Sequence, residues 1–247
     1  MTAPGISVQL YTIREALGQD LEGSLARLRE MGFTHVEPFL FTENTDRLAA
    51  ALRDADLQAP SGHEQILGDD QDRIFSSAKE LGIGTVIDNF REQDIWDNAD
   101  TIRDAAERLN RAAEKAATYD LRIGYHNHHW ELLNSFDGKT GLEVFAEHLA
   151  PGVVLELDTY WAAAGGANVP ELITRLGDKV VLIHAKDGEI RQDFDGQTIL
   201  GEGNMPVEDI LRAATHLEYA VIEVDKYDGD LFDAVEGGYR FLDRVLR

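Results

Sequence analysis

Four side chains suited to acid–base or metal-ligand chemistry fall within six positions of the stretch Arg122-Ile-Gly-Tyr-His-Asn-His-His-Trp-Glu131: His126, His128, His129 and Glu131. Three of the chain's eight histidines sit there. Imidazole and carboxylate together can hold a divalent cation or move a proton near neutral pH. The stretch opens as a strand with Ile123 and Tyr125 as its larger nonpolar side chains, then turns abruptly polar. In α/β folds chemistry collects at the C-terminal ends of strands. The same pattern recurs along the chain, where Glu37, His63, Asp158, His184 and Glu223 each close or follow an apolar, strand-like run. A single such residue is ordinarily a cap or a solvated loop residue. Several in register on neighbouring strands form a set, and buried carboxylates without a counter-ion are costly.

The strongest set is Glu131, Asp158, His184 and Glu223. Three carboxylates, one imidazole and no sulfur suit Mn²⁺, Mg²⁺ or Co²⁺ better than a structural zinc. In Leu155-Glu-Leu-Asp158 the acidic pair alternates with the leucines, so Glu156 is a rival ligand or a barrel-interior group beside Asp158. Lys186 follows His184 by two positions and has two readings: a grip on a substrate oxygen, or a loop ion pair with Asp187.

Positioning these residues requires a regular scaffold, and the hydrophobic pattern supplies one. Strands are expected at Ile6–Leu10, Thr34–Pro38, Leu57–His63, Gly84–Asp88, from Arg122, at Val153–Leu157, Lys179–Ile183 and Ala220–Ile222. Helices are expected between them. One is capped by Asp20, carries Leu21, Leu25, Leu28 and Met31, and closes at Gly32; another carries Leu48 and Leu52. Others run over roughly 70–81, 97–119 and 138–149, from Pro170, from Pro206, and finally to Arg247. Eight strands alternating with helices predict one (β/α)8 TIM barrel spanning residues 1–247. A doubly wound sheet is disfavoured because no Gly-x-Gly-x-x-Gly follows the first strand.

Composition narrows the partners. With 46 acidic and 23 basic residues the formal charge is −23, which repels phosphate backbones and anionic membranes. No nucleic acid and no membrane partner is therefore expected. The absence of cysteine excludes disulfides, thiolate metal sites and a cysteine nucleophile. No signal-peptide pattern follows Met1, so a cytoplasmic location is expected. A homo-oligomer is left open.

Together these residues resemble the sugar phosphate isomerase/epimerase superfamily, the xylose isomerase-like TIM barrels, and within it a Tyr-His-Asn-His branch. The resemblance rests on Val8-Gln-Leu-Tyr-Thr-Ile-Arg14, Gly124-Tyr-His-Asn-His128 with Glu131, and Leu157-Asp-Thr-Tyr-Trp161. It continues through Ile183-His-Ala-Lys-Asp187, Gly201-Glu-Gly203 and Ile222-Glu223, and so covers nearly the whole chain. It implies one divalent metal, Mn²⁺ first, held by Glu131, Asp158, His184 and Glu223. His126 and His128 are rivals for the place of Glu131. It further implies carbohydrate metabolism, with a small sugar or keto-sugar as substrate.

The expected reaction is isomerisation or epimerisation by proton abstraction beside a carbonyl, through an enediolate, with Glu131 and Glu223 as the two bases. Tyr11, Glu37, His63, His128, Trp161 and Lys186 are expected to line the substrate site. Few basic residues fall near it, which favours an unphosphorylated sugar. Two alternatives stand beside this reading: a metal-dependent lyase or dehydratase acting by β-elimination, and a non-catalytic sugar-binding barrel or partner subunit.

Overall fold

The computed structural model describes residues 3–68, 70–89 and 92–247. Seven parallel strands form one curled sheet: β1 (Gly5–Val8), β2 (Ser61–His63), β3 (Thr85–Asp88), β4 (Arg122–His126), β5 (Val154–Asp158), β6 (Val180–Ala185) and β7 (Tyr219–Ile222). Their order is β1-β7-β6-β5-β4-β3-β2. The gap between β1 and β2 is filled by residues 35–39, which make isolated parallel bridges to both sides: Gln9 with Glu37, His35 with Gln58, and Phe39 with His63. Backbone hydrogen bonds such as Glu37 N to Val8 O at 2.8 Å and His63 N to Pro38 O at 2.8 Å complete the circle. The expected eighth strand is thus present as a bridging segment, and Pro38, which has no N–H to donate, interrupts its ladder. The barrel closes as the strand count implies.

Helices cover the outside for the reason the apolar stripes gave. The longest, Ala99–Ala117, buries Ile102, Ala105, Ala106, Leu109, Ala112 and Ala116 on one face. A fully buried leucine such as Leu109 contributes on the order of 1.5–3 kcal/mol. This helix starts later than expected because Asn98 caps it, accepting from Asp100 N at 2.8 Å, after a 3-10 turn over Gln93–Asp97. The helix expected from Gly138 begins instead at Gly141. Its predicted first turn is an antiparallel ribbon, Ser135–Phe136 against Lys139–Thr140, turning at Asp137 and Gly138 with φ of 52° and 83°. Positive φ at two adjacent central residues is the hairpin geometry that Asp-Gly favours. Thr140 and Glu143 then form a reciprocal capping box.

Inside the barrel, Ile87, Val154, Leu182 and Val221, together with Val181, form a small apolar cluster separate from the main core. Stepping two residues up each strand from that floor reaches Asn89, Glu156, His184 and Glu223, because alternate residues share a face. Two more residues reach Asp158, Lys186 and Asp225. The pleat therefore stacks polar side chains above an apolar plug, at the C-terminal mouth. No helix among the described residues is long and apolar enough to cross a membrane.

Candidate metal centre and cleft

Above the plug, donor atoms of His126, Asp158, His184 and Glu223 lie within 4.8 Å of one another. They come from the ends of four neighbouring strands, β4 to β7, and Asp158 and His184 are partners in the β5–β6 register. All four are buried, Asp158 and His184 completely. Asp158 Oδ2 is a buried acceptor without an aligned hydrogen bond, with the Lys186 ammonium 2.9 Å away. A carboxylate oxygen in that condition, facing two imidazoles and a second carboxylate, is what a divalent cation would satisfy.

Glu156, beneath this set, orients its imidazoles. Glu156 Oε2 lies 3.1 Å from His126 Nδ1, 3.0 Å from His184 Nε2 and 2.6 Å from His63 Nε2. His63, His126, Glu156 and His184 form a second group of donors in ligand range. Here one carboxylate oxygen already meets three ring nitrogens at hydrogen-bond distance, so this group reads as a hydrogen-bonded hub. Burial first, and the neighbouring His184 second, push His126 well below the usual imidazole range. His126 is therefore neutral. With Nδ1–H donating to Glu156, its Nε2 lone pair faces Asp158 Oδ2 at 3.7 Å.

His184 is the opposite case. Burial alone would lower it, but Glu156 and Glu223 outweigh burial and hold it well above the ordinary value. Its Nδ1 meets Glu223 Oε2 at 2.7 Å and its Nε2 meets Glu37 Oε1 at 2.8 Å. Glu37 is held in turn by Gln9 Nε2 at 2.9 Å and by the Ser61 hydroxyl. Glu37 thus anchors the interior and does not line the cleft.

Glu131 is not part of either group. Its Oε1 accepts from the Tyr125 hydroxyl at 2.6 Å and its Oε2 from His128 N at 2.9 Å. Tyr125 faces away from the barrel interior, packed 4.8 Å from Phe145. The short 3-10 turn Trp130–Leu132 carries Glu131 back to that outer side. The position expected for Glu131 is taken by His126, the inward neighbour of Tyr125. Glu131→Gln should therefore leave metal affinity intact while costing about 1–3 kcal/mol of stability, since the buried charge-assisted bonds from Tyr125 and the His128 N–H are lost. Urea unfolding with a parallel metal titration checks both halves; a lost metal with unchanged stability would reinstate Glu131 as a ligand.

Asn127 ties β4 to β5, accepting from Asp158 N at 2.9 Å and donating to Asp158 O at 3.3 Å. Lys186 does not pair with Asp187. Its ammonium lies 2.9 Å from Asp158, 2.6 Å from Glu223 and 2.7 Å from Asp225. Asp187 accepts from the N–H groups of Gly188, Gly201 and Met205, all at 2.8–2.9 Å, and so holds the Gly201-Glu-Gly203 loop. A Cβ at Gly203 would fall onto Asp187 Oδ1, which explains glycine there. Asp225 was missing from the sequence expectations, although its spacing of two from Glu223 puts both on one face.

Over the donor layer opens a cleft of about 520 Å³, lined among others by Tyr11, His63, His128, Trp161, Lys186 and Glu223. Its walls are aromatic. Tyr11 stands edge-on to Phe39 at 5.2 Å, His128 stacks on Trp130 at 4.1 Å, and Trp161 meets the exposed Phe194 at 5.6 Å. Of the six residues expected to contact substrate, five line this cleft and Glu37 lies beneath it.

A closed parallel barrel with its polar side chains converging at the C-terminal mouth defines a class, the (β/α)8 barrels. The chain belongs to the xylose isomerase-like TIM barrel family, whose model matches residues 25–245. Among solved structures it is similar to a sugar phosphate isomerase/epimerase from Parabacteroides distasonis, at 21% identity and TM-score 0.82, covering 100% of this chain and 96% of that one. It is similar also to the IolI protein with a bound zinc atom, at 15% identity and TM-score 0.76 over 98% of both chains. A xylose isomerase-like TIM barrel protein from Mycobacterium smegmatis in complex with magnesium aligns at 16% identity and TM-score 0.72, covering 99% of this chain and 97% of that one. At these identities the likeness is one of fold. No curated protein matches the chain.

Proposed function

We propose that this protein is a divalent-metal-dependent isomerase or epimerase of an unphosphorylated sugar or keto-sugar, acting by proton abstraction beside a carbonyl. The observation that carries the reading is the convergence of His126, Asp158, His184 and Glu223 at the base of an aromatic-walled cleft. These four residues would hold the ion, with His184 giving up one of its two N–H protons on binding it. Mn²⁺ is the first choice, and Co²⁺ or Zn²⁺ also suits two nitrogens and two oxygens. Bound there, a divalent cation would polarise a sugar carbonyl and so acidify the neighbouring C–H.

The protein's own groups supply the rest. Burial opposes ionisation of Glu223, but Lys186 and His184 overcome it and keep the carboxylate well below its usual range. Glu223 is therefore ionised, lines the cleft and serves as the base. His63 stands on β2, three strands away around the barrel. Burial would lower it, yet Glu156 and Glu37 raise it to about 9, so it is a proton donor on another wall. A base and an acid on different walls can remove a proton from one face and return one to another, which is epimerisation. Tyr11 and Trp161 flank the sugar's apolar face. Among the described residues Lys186 is the only lysine or arginine in the lining, and three carboxylates already surround it, which favours an unphosphorylated sugar.

The test is incubation of metal-loaded protein with ketoses and 3-keto sugars in deuterated water, followed by NMR. Deuterium beside the carbonyl with the sugar skeleton intact is the expected result. Incorporation with loss of a hydroxyl or aglycone would make the protein a lyase. Metal binding without exchange on any sugar would leave a binding barrel.

A further inference from the structure

The Lys186 ammonium lies among the oxygens that make up the metal centre. Its Nζ is 2.9 Å from Asp158 Oδ2 and 2.6 Å from Glu223 Oε2. Those same oxygens face the imidazoles of the donor set: Glu223 Oε2 lies 2.7 Å from His184 Nδ1, and Asp158 Oδ2 lies 3.7 Å from His126 Nε2. Lys186 is 2% exposed, and a lysine is that deeply buried only when its charge is matched. Its third partner, Asp225, stands outside the donor group, with Oδ2 at 2.7 Å from the ammonium and 2.9 Å from Gln197 Nε2.

We infer that Lys186 is a resident counter-cation that competes with the divalent ion for Asp158 and Glu223, and so sets how tightly this protein holds its metal. The inference rests on the metal centre proposed above. An ammonium and a dication within about 3 Å of the same two oxygens repel each other strongly, because a buried site barely screens them. Without metal, Lys186 neutralises two carboxylates that would otherwise repel each other inside the barrel. When metal takes those oxygens, Asp225 remains as a partner for Lys186 at the cleft wall, anchored by Gln197, which also accepts from Asp225 N at 2.8 Å. The ammonium already lies 5.4 Å from the centroid of the Trp161 ring, in the cleft where substrate oxygens would sit. One residue thereby stabilises the metal-free protein and is released toward substrate when metal arrives. Lys186 is a positioning residue for the metal centre.

A cation that supported the donors from outside would act in the opposite sense: its removal would weaken metal binding. The sign therefore decides. Mn²⁺ is titrated calorimetrically into chelator-treated wild type, Lys186→Met and Lys186→Gln, and thermal unfolding of each is recorded with and without Mn²⁺. Both variants should bind Mn²⁺ at least tenfold more tightly than wild type. Both should melt lower than wild type without metal and gain more in Tm on adding it. The glutamine variant keeps a polar head in the buried position should the methionine variant fold poorly. Affinity that is unchanged or weaker in the variants overturns the inference while leaving the metal centre standing. No Mn²⁺ binding by wild type and variants alike would remove the centre itself, and the inference with it.

Discussion

His184→Ala should abolish stoichiometric metal binding and destabilise the protein by about 3–5 kcal/mol, the cost of leaving buried charges without their partner. His184 is fully buried and meets three carboxylates, those of Glu223, Glu37 and Glu156, through its two nitrogens. Truncation removes one donor and leaves those carboxylates facing one another around a cavity. Since domains are stable by roughly 5–15 kcal/mol, the variant should still fold, with a much lower denaturation midpoint. Elemental analysis of protein purified without chelator, with urea unfolding in the presence of chelator, separates the two effects. A variant that retains one ion per chain, or unfolds like wild type, would remove His184 from the centre of the network.

Glu223→Gln should slow solvent exchange of a sugar's α-proton by about 10²-fold or more, the scale of losing a general base. The amide keeps an oxygen for the metal but cannot take a proton at neutral pH. It also withdraws the anion that Lys186 and His184 face, so metal affinity should fall less than the rate does. Glu131→Gln is the matched control, because that carboxylate is committed to Tyr125 and the His128 N–H. Comparing deuterium incorporation by the two metal-saturated variants distinguishes them. Equal losses in both would restore the pairing of Glu131 with Glu223 that the sequence suggests.

Much of the site was legible because a barrel strand has a simple rule: the polar residue that ends an inward-facing row faces the mouth. Asp158, His184 and Glu223 obey it, each two residues above an apolar position or an inward carboxylate. Glu131 follows a strand end closely in sequence, yet its carboxylate turns back to Tyr125 and the His128 N–H rather than to the mouth. Parity gives the reason, since Tyr125 packs outward and His126 must then face in. The Asp137-Gly138 hairpin was similarly announced by its dipeptide and lost to the helical pattern beyond it. Other features left no local trace. That Lys186 would turn from its neighbour Asp187 to Asp158, Glu223 and Asp225 depends on which side of β6 each residue occupies. That Glu37 would serve His184, 147 residues away, follows only from closure of the barrel.

The strand order also divides labour along the chain. All four donors lie between residues 126 and 223, on β4 to β7, which are consecutive neighbours in the sheet. The first half of the chain supplies Tyr11, Phe39, Leu40 and His63 to the cleft, and touches a donor directly through Glu37. Drift in the first half can thus remodel what the cleft admits while the half that carries the candidate donors stays unchanged. Such a molecule can change what its cleft accepts by inheritance of one segment and variation of the other, without passing through an intermediate that has lost its donor set.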